Sequence, residues 1–328
     1  MVLRRTLPGR PLVVSAIGVA VDPEPVASPH SDQATISLLR LARRRGVTTF
    51  DAAGARSPPR AERLIAAAFP QPDPELTVIA PPARASPGPR SLDHRAGPAA
   101  PTSATDELRH AVEETRRRLA PQPISVLELA GSTEDPGVSP FAVEALDALT
   151  ADGSISAWAV RVERESRPLP TEGTHHGPGG PLYSVAASLL DRAPLDWAAN
   201  LADRQPVGVF VRDPFAGGRL DGRRYSALLA DRTPTGPPVD VRSLAAEFEP
   251  VRRLGFLSLR GRRTLAQAAV RFLLDAPGVV SVLVPVPPPE RLNEFLGSEG
   301  TPPLTEEELA RLAEGDRRPS AAFRGPVK

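Results

Sequence analysis

Cysteine is absent from the 328 residues, which excludes disulfides, a thiol nucleophile and thiolate metal sites. Lysine occurs once, as Lys328, so 39 of the 40 basic residues are arginine. A site that needs an ammonium group therefore has one candidate, at the very end of the chain. Tyrosine is nearly as scarce, limited to Tyr183 and Tyr225, so phenolic proton donors are few. No segment approaches the ~18 continuous apolar residues of a transmembrane helix. A net charge of +1 gives no reason to expect nucleic acid or an anionic membrane as partner. Proline is abundant, at 40 residues. Together with the arginine and alanine content, this points to GC-rich coding, and an isolated surface arginine then says little about function.

Hydrophobic residues make up 41% of the chain, enough for one large core. Short β-branched runs alternate with helical patterns, which predicts repeated βα units around a parallel sheet. A helix is expected from Ser31 or Asp32 as N-cap to Gly46, with Ile36, Leu38, Leu39 and Leu41 on its apolar side. Another is expected from about Thr105 to Leu119, and a third from Ser139-Pro140, proline suiting the first helical position. The strand Ile155–Val160 follows. Thr264 with Gln267, and Thr305 with Glu308, form capping boxes. Two stretches rich in Pro and Gly, Ala83–Ser103 and Arg164–Pro181, are expected as irregular loops. No repeat or linker divides the chain, so residues 1–328 read as a single domain.

The run Gly46-Val47-Thr48-Thr49-Phe50-Asp51-Ala52-Ala53-Gly54 resembles the second barrel strand of the aldo-keto reductases, G-[IV]-N-x-[FI]-D-T-A-x-x-Y-G. Ala61-Glu62-Arg63-Leu64 resembles the helix start that follows it. Leu76-Thr77-Val78-Ile79-Ala80-Pro81-Pro82 is similar to V-V-I-A-T-K, and Ile124-Ser125-Val126-Leu127-Glu128-Leu129-Ala130 to V-D-L-Y-Q-L-H. The resemblance implies a (β/α)8 TIM barrel with an N-terminal hairpin and a terminal helix. The fifth crossover helix is expected to be replaced by the Pro/Gly-rich loop. Arg4-Arg5 followed by Leu12–Val21 has a superficial signal-peptide look, but it matches the family's opening hairpin and first strand, so a cytoplasmic protein is expected.

The family reduces carbonyls with NADPH through an Asp, Tyr, Lys and His tetrad. Only Asp51 is retained here: Arg56 stands at the tyrosine position, Pro82 at the lysine and Ala130 at the histidine. Hydride transfer needs a proton donor at the developing alkoxide. A guanidinium stabilises negative charge but does not give up its proton.

The cofactor contacts are altered as well. Val207 to Leu220 resembles G-V-I-A-Y-S-P-L-A-G-G-L-L, which implies Pro214, Ala216, Gly217, Gly218 and Leu220 as cofactor-binding positions. However, Arg212 replaces the tyrosine that packs on nicotinamide, Arg161-Val162 the carboxamide-binding Ser-Asn, and Ser184 a Gln. Ser281 to Phe295 resembles S-V-I-P-G-A-R-N-P-E-Q-L-E-E-N, with Pro285, Pro287 and Phe295 at ligand-facing positions. Prolines offer no backbone donor to a phosphate. Arg291 is the one residue left that suits a 2′-phosphate. No cofactor is therefore expected, with NADP the single candidate.

Asp51 without its lysine needs a cation, and Arg56 is the nearest in sequence. Glu128 shares a strand face with Ala130, which points it into the barrel. Arg56, Arg161 and Arg212 are expected to converge with Asp51 and Glu128 around a pocket for a polar or anionic small molecule. The chain then binds that ligand or acts on it in a non-redox step. Two alternatives stay open: an NADP-dependent aldehyde or ketone reductase with an atypical site, and a non-catalytic binding or assembly barrel. His175-His176 reads as a solvated pair, because no third ligand stands at metal-binding spacing.

Overall fold

The computed structural model describes residues 2–22, 29–83, 101–130, 140–162, 182–230 and 241–317. A hairpin of β1 (Arg4–Thr6) and β2 (Val13–Ser15) precedes the strands β3 (Ile17–Ala20), β4 (Thr49–Asp51), β5 (Thr77–Ala80) and β6 (Ile124–Ala130). These are followed by β7 (Ile155–Val162), β8 (Leu182–Ala186), β9 (Gly208–Arg212) and β10 (Val279–Pro285). The eight strands from β3 to β10 close into a parallel barrel, β10 pairing with both β3 and β9. This is the expected (β/α)8 architecture.

The helices are α1 (Pro29–Arg44), α2 (Pro58–Ala68), α3 (Pro101–Leu119), α4 (Pro140–Ala151) and α5 (Ala193–Ala202). α6 (Arg223–Ala230), α7 (Val241–Arg253), α8 (Leu265–Leu274), α9 (Pro289–Leu296) and α10 (Glu306–Arg317) follow among the described residues. Several begin on proline, whose fixed φ and missing N–H suit the first turn.

Both capping boxes form. Thr264 Oγ1 accepts from Gln267 N at 3.1 Å while Gln267 returns the bond to Thr264 N. Thr305 and Glu308 do the same ahead of α10. α1 differs from expectation. It begins at Pro29, and the Ser31 and Asp32 side chains accept from Arg60 of α2 instead of capping the helix. α3 starts at Pro101, inside the stretch expected to be loop. The crossover between β7 and β8, with His175-His176, and the segment 84–100 lie outside the described residues.

Two apolar layers hold the barrel. Inside it Ile79, Val126, Ala157, Ala159, Phe210 and Leu283 pack together, closed from below by Leu7 and Val14 of the hairpin. Outside, residues such as Val78, Leu127, Trp158 and Val211 meet the helices. The hairpin is fastened to the floor by polar bonds: Ser15 Oγ accepts from Thr48 N and Thr49 N, and Ser281 Oγ donates to Ser15 O. On its outer side, Arg4 and Arg43 both bond Glu75. Among the described residues no helix is long and apolar enough to cross a membrane.

Candidate functional site

The barrel sequence explains what gathers at the mouth. Asp51 ends β4, Glu128 lies near the end of β6, Arg161 on β7, Ser184 on β8, and Arg212 ends β9. In the closed strand order, β9 stands opposite β5, and β4 and β6 flank β5. Arg212 therefore crosses the barrel to reach its partners. Its Nη1 and Nη2 grip Asp51 Oδ2 and Oδ1 at 2.5 and 2.9 Å. Nη2 also donates to Glu128 Oε2 at 2.5 Å, and Nε to Ser184 Oγ at 2.5 Å. One guanidinium thus spans two carboxylates and a hydroxyl, the planar fork matching a carboxylate with two parallel bonds.

Burial makes these bonds matter. The Asp51 and Glu128 side chains are 0% and 1% exposed, and that of Arg212 is 11% exposed. Burial raises the Asp51 pKa above the usual carboxylate range, Arg212 opposing the shift and Glu128 adding to it. Burial also works against the Arg212 charge, but attraction to Asp51 and Glu128 outweighs it and raises the guanidinium pKa. Ala53 N donates to Asp51 Oδ1 at 2.9 Å. Space for the guanidinium comes from Gly54: a Cβ there would collide with Arg212 Nη1 and lie 3.2 Å from Asp51 Oδ2. At this position the missing side chain serves close approach, not an unusual φ.

The other predicted residues divide. Arg161 reaches the cluster, its Nη1 3.5 Å from Glu128 Oε1 and donating to Ala53 O at 3.2 Å. Arg56 does not. It points outward to Asp22, with Nε 3.0 Å from Oδ2 and the side chain 61% exposed. Asp51 is neutralised from across the barrel, because the turn after β4 carries Arg56 away while β9 aims Arg212 inward. Pro82 is half-buried and Ala130 exposed. Ser184, which stands where the family has a cofactor-contacting Gln, and Gly54 also belong to the cluster. The one available signal was a glycine three residues past Asp51, where the backbone has to make room.

The loop after β9 is strongly bent. Asp213 and Ala216 have φ of 51°, and Gly217 and Gly218 have φ of 70° and 83°. Pro214, Ala216, Gly218 and Leu220 are buried there, and Gly217 is exposed. Asp213 Oδ1 accepts from Gly217 N at 2.6 Å, so an internal carboxylate takes the glycine amide. Further along, Arg291 bonds Glu294 Oε2 and the Asp221 carbonyl, and lies 5.0 Å from the Phe295 ring centroid. Phe295 is fully buried, its ring 4.7 Å from that of Phe215. Among the described residues no group of three or more His, Asp or Glu is placed to hold a metal ion.

Comparison with known proteins agrees with this architecture. The Aldo/keto reductase family model matches residues 23–317. The chain is 25% identical over 209 residues to an uncharacterized oxidoreductase, YqkF, of Bacillus subtilis (strain 168). That alignment spans 62% of this chain and 64% of the relative's length. Among solved structures, the holo form of the aldo-keto reductase AKR11C1 from Bacillus halodurans superposes with a TM-score of 0.66 at 20% identity, covering 96% of each chain. The glycerol dehydrogenase AKR11B4 from Gluconobacter oxydans gives 0.65 at 19% identity, covering 99% of this chain and 97% of its own. At such identities the structural likeness speaks to the fold.

Proposed function

The chain belongs to the aldo/keto reductase family, and from that membership we propose that its barrel mouth has given up NADP-linked carbonyl reduction and receives a polar or anionic small molecule. The observation that carries this reading is the placement of Arg212. Its guanidinium is bound to Asp51, Glu128 and Ser184, so the charge partner of the retained acid enters from β9, opposite the strand that brings a lysine in the family. Among the described residues no phenol or ammonium accompanies Asp51 at the mouth, and a carbonyl reduced by hydride needs a proton donor.

The residues along the dinucleotide path support the same reading, because they do not fit that cofactor. Arg212 is turned into the barrel, away from a stacking role. Asp213 places a carboxylate on the glycine-loop amide where a phosphate oxygen is wanted. Phe295 is packed on Phe215, and Arg291 is engaged with Asp221 and Glu294. Between binding and a non-redox step, the geometry favours binding. Asp51 is fully buried beneath Arg212, and a general acid or base has to come within reach of its substrate.

Calorimetric titration of the purified protein with NADPH tests the proposal, with no saturable binding expected below ~1 mM. Saturable micromolar binding, or aldehyde turnover coupled to NADPH oxidation, refutes it.

A further inference from the structure

We infer that the arginine-bearing turn at residues 259–263, just ahead of α8, binds the phosphate group of a small phosphate monoester. The inference is independent of how the mouth is read, and the two sites share no residue. A hollow of about 550 Å3 lies at this turn, lined by residues 258–265 and Gln267. That volume falls in the range of small-molecule sites. None of the lining residues is acidic, and three of them are arginines.

The turn is held firmly. Leu259 N donates to Arg263 O at 2.8 Å and Arg263 N donates to Leu259 O at 2.9 Å, with Gly261 at φ 72° between them. Arg263 fastens the turn to the core: its buried guanidinium donates to the carbonyls of Leu257, Pro302 and Pro303 and to Glu308. Its charge is thereby matched. Arg260 and Arg262 are exposed, and among the described residues neither side chain has a hydrogen bond or an acidic partner. A Cβ added to Gly261 would meet nothing within 4 Å, so the tip between the two arginines is uncrowded. An isolated surface arginine says little in this chain, but these two are carried on one turn that a third anchors.

Charge selects the ligand class. Two unmatched guanidinium groups on one side of a hollow call for a dianion. A phosphate monoester carries a charge of about −1.5 to −2 at neutral pH and three acceptor oxygens, whereas a carboxylate or a sulfate ester is singly charged. Leu265 opens α8, and a first-turn amide has no intrahelical acceptor, which suits the same anion. Leu259 and Leu265 are half-buried in the lining and offer the organic part of the ligand an apolar wall.

The test is an amide NMR titration of the full chain with phenyl phosphate, phenyl sulfate and inorganic phosphate at about pH 7.5, where the monoester is a dianion. Phenyl phosphate is expected to shift the Gly261 and Leu265 amides with a dissociation constant on the order of 1 mM. Phenyl sulfate, with less charge, and inorganic phosphate, with no ring, should each bind about fivefold more weakly. Arg260→Gln and Arg262→Gln should each weaken phenyl phosphate about fivefold and leave the unfolding midpoint unchanged, since neither side chain makes a contact to lose. The exposed, remote Arg204→Gln should leave binding as it is. Phenyl sulfate binding as well as phenyl phosphate overturns the dianion assignment. No saturable shift at Gly261 and Leu265, binding indifferent to Arg260→Gln and Arg262→Gln, or equal weakening by Arg204→Gln overturns the site.

Discussion

Gly54→Ala is the sharpest probe of the cross-barrel tie. An added Cβ occupies the place of Arg212 Nη1, 3.1 Å from Cζ and 3.2 Å from Asp51 Oδ2. Arg212 is gripped by four hydrogen bonds, so it has no slack with which to step aside. Either the guanidinium retracts and the ion pair breaks, or the turn after β4 moves. Breaking a buried pair costs about 3–5 kcal/mol. Replacing glycine by alanine where the backbone permits it returns about 0.4–1 kcal/mol through the unfolded chain. The net expectation is a loss of about 2–4 kcal/mol of stability, read by equilibrium urea unfolding. Gly255→Ala is the control, since nothing lies within 4 Å of its added Cβ; it should be near neutral. In an Arg212→Met background, Gly54→Ala should cost less than about 1 kcal/mol, a non-additivity expected of touching groups. A Gly54→Ala protein as stable as the Gly255→Ala control refutes the tie.

Arg212→Met leaves Asp51 and Glu128 buried without their shared cation and should destabilise by about 3–5 kcal/mol near neutral pH. Burial already raises the Asp51 pKa above 3.8, so the folded state holds that proton above the pH at which the unfolded chain releases it. Stability is then lost as pH rises from about 3.8 through the raised value; the variant should regain part of its deficit as pH falls from neutral towards 3.8, and a pH-independent deficit contradicts this. Glu75 is held at a pKa of about 2, against an ordinary 4.5, chiefly by its hydrogen bonds to Arg4 and Arg43. Its contribution is present above pH 4.5 and lost as pH falls through about 2, so Glu75→Gln should flatten acid unfolding in that window. Thr264→Ala removes the α8 cap and should cost about 1 kcal/mol in urea unfolding, together with the contact to Glu294 at 2.7 Å.

The barrel was legible because its determinants are local. Strand runs such as Thr77–Ala80 and the paired Thr264/Gln267 box act over a few residues, and each appears where its pattern placed it. The site was legible in membership more than in geometry. Asp51, Glu128, Arg161 and Arg212 come together as their strand positions suggested. Arg56 was favoured for its nearness along the chain, yet a turn redirects a side chain within a few residues, and no local pattern records that. Nor does sequence spacing disclose a contact across the diameter of a barrel: Arg212 and Asp51 are separated by 161 positions. Helix α1 starts at Pro29, ahead of Ser31 and Asp32, which suit a cap by type but are engaged by Arg60 on the neighbouring helix.

The tie from β9 also couples positions 82 and 212, although 130 residues of chain separate them. An aromatic ring placed at position 212 by itself strands two interior acids, Asp51 and Glu128. Installing an amine at position 82 while Arg212 stays puts two cations in competition for Asp51. Either single change costs stability, so a ring at position 212 and an amine at position 82 are tolerated only when introduced together.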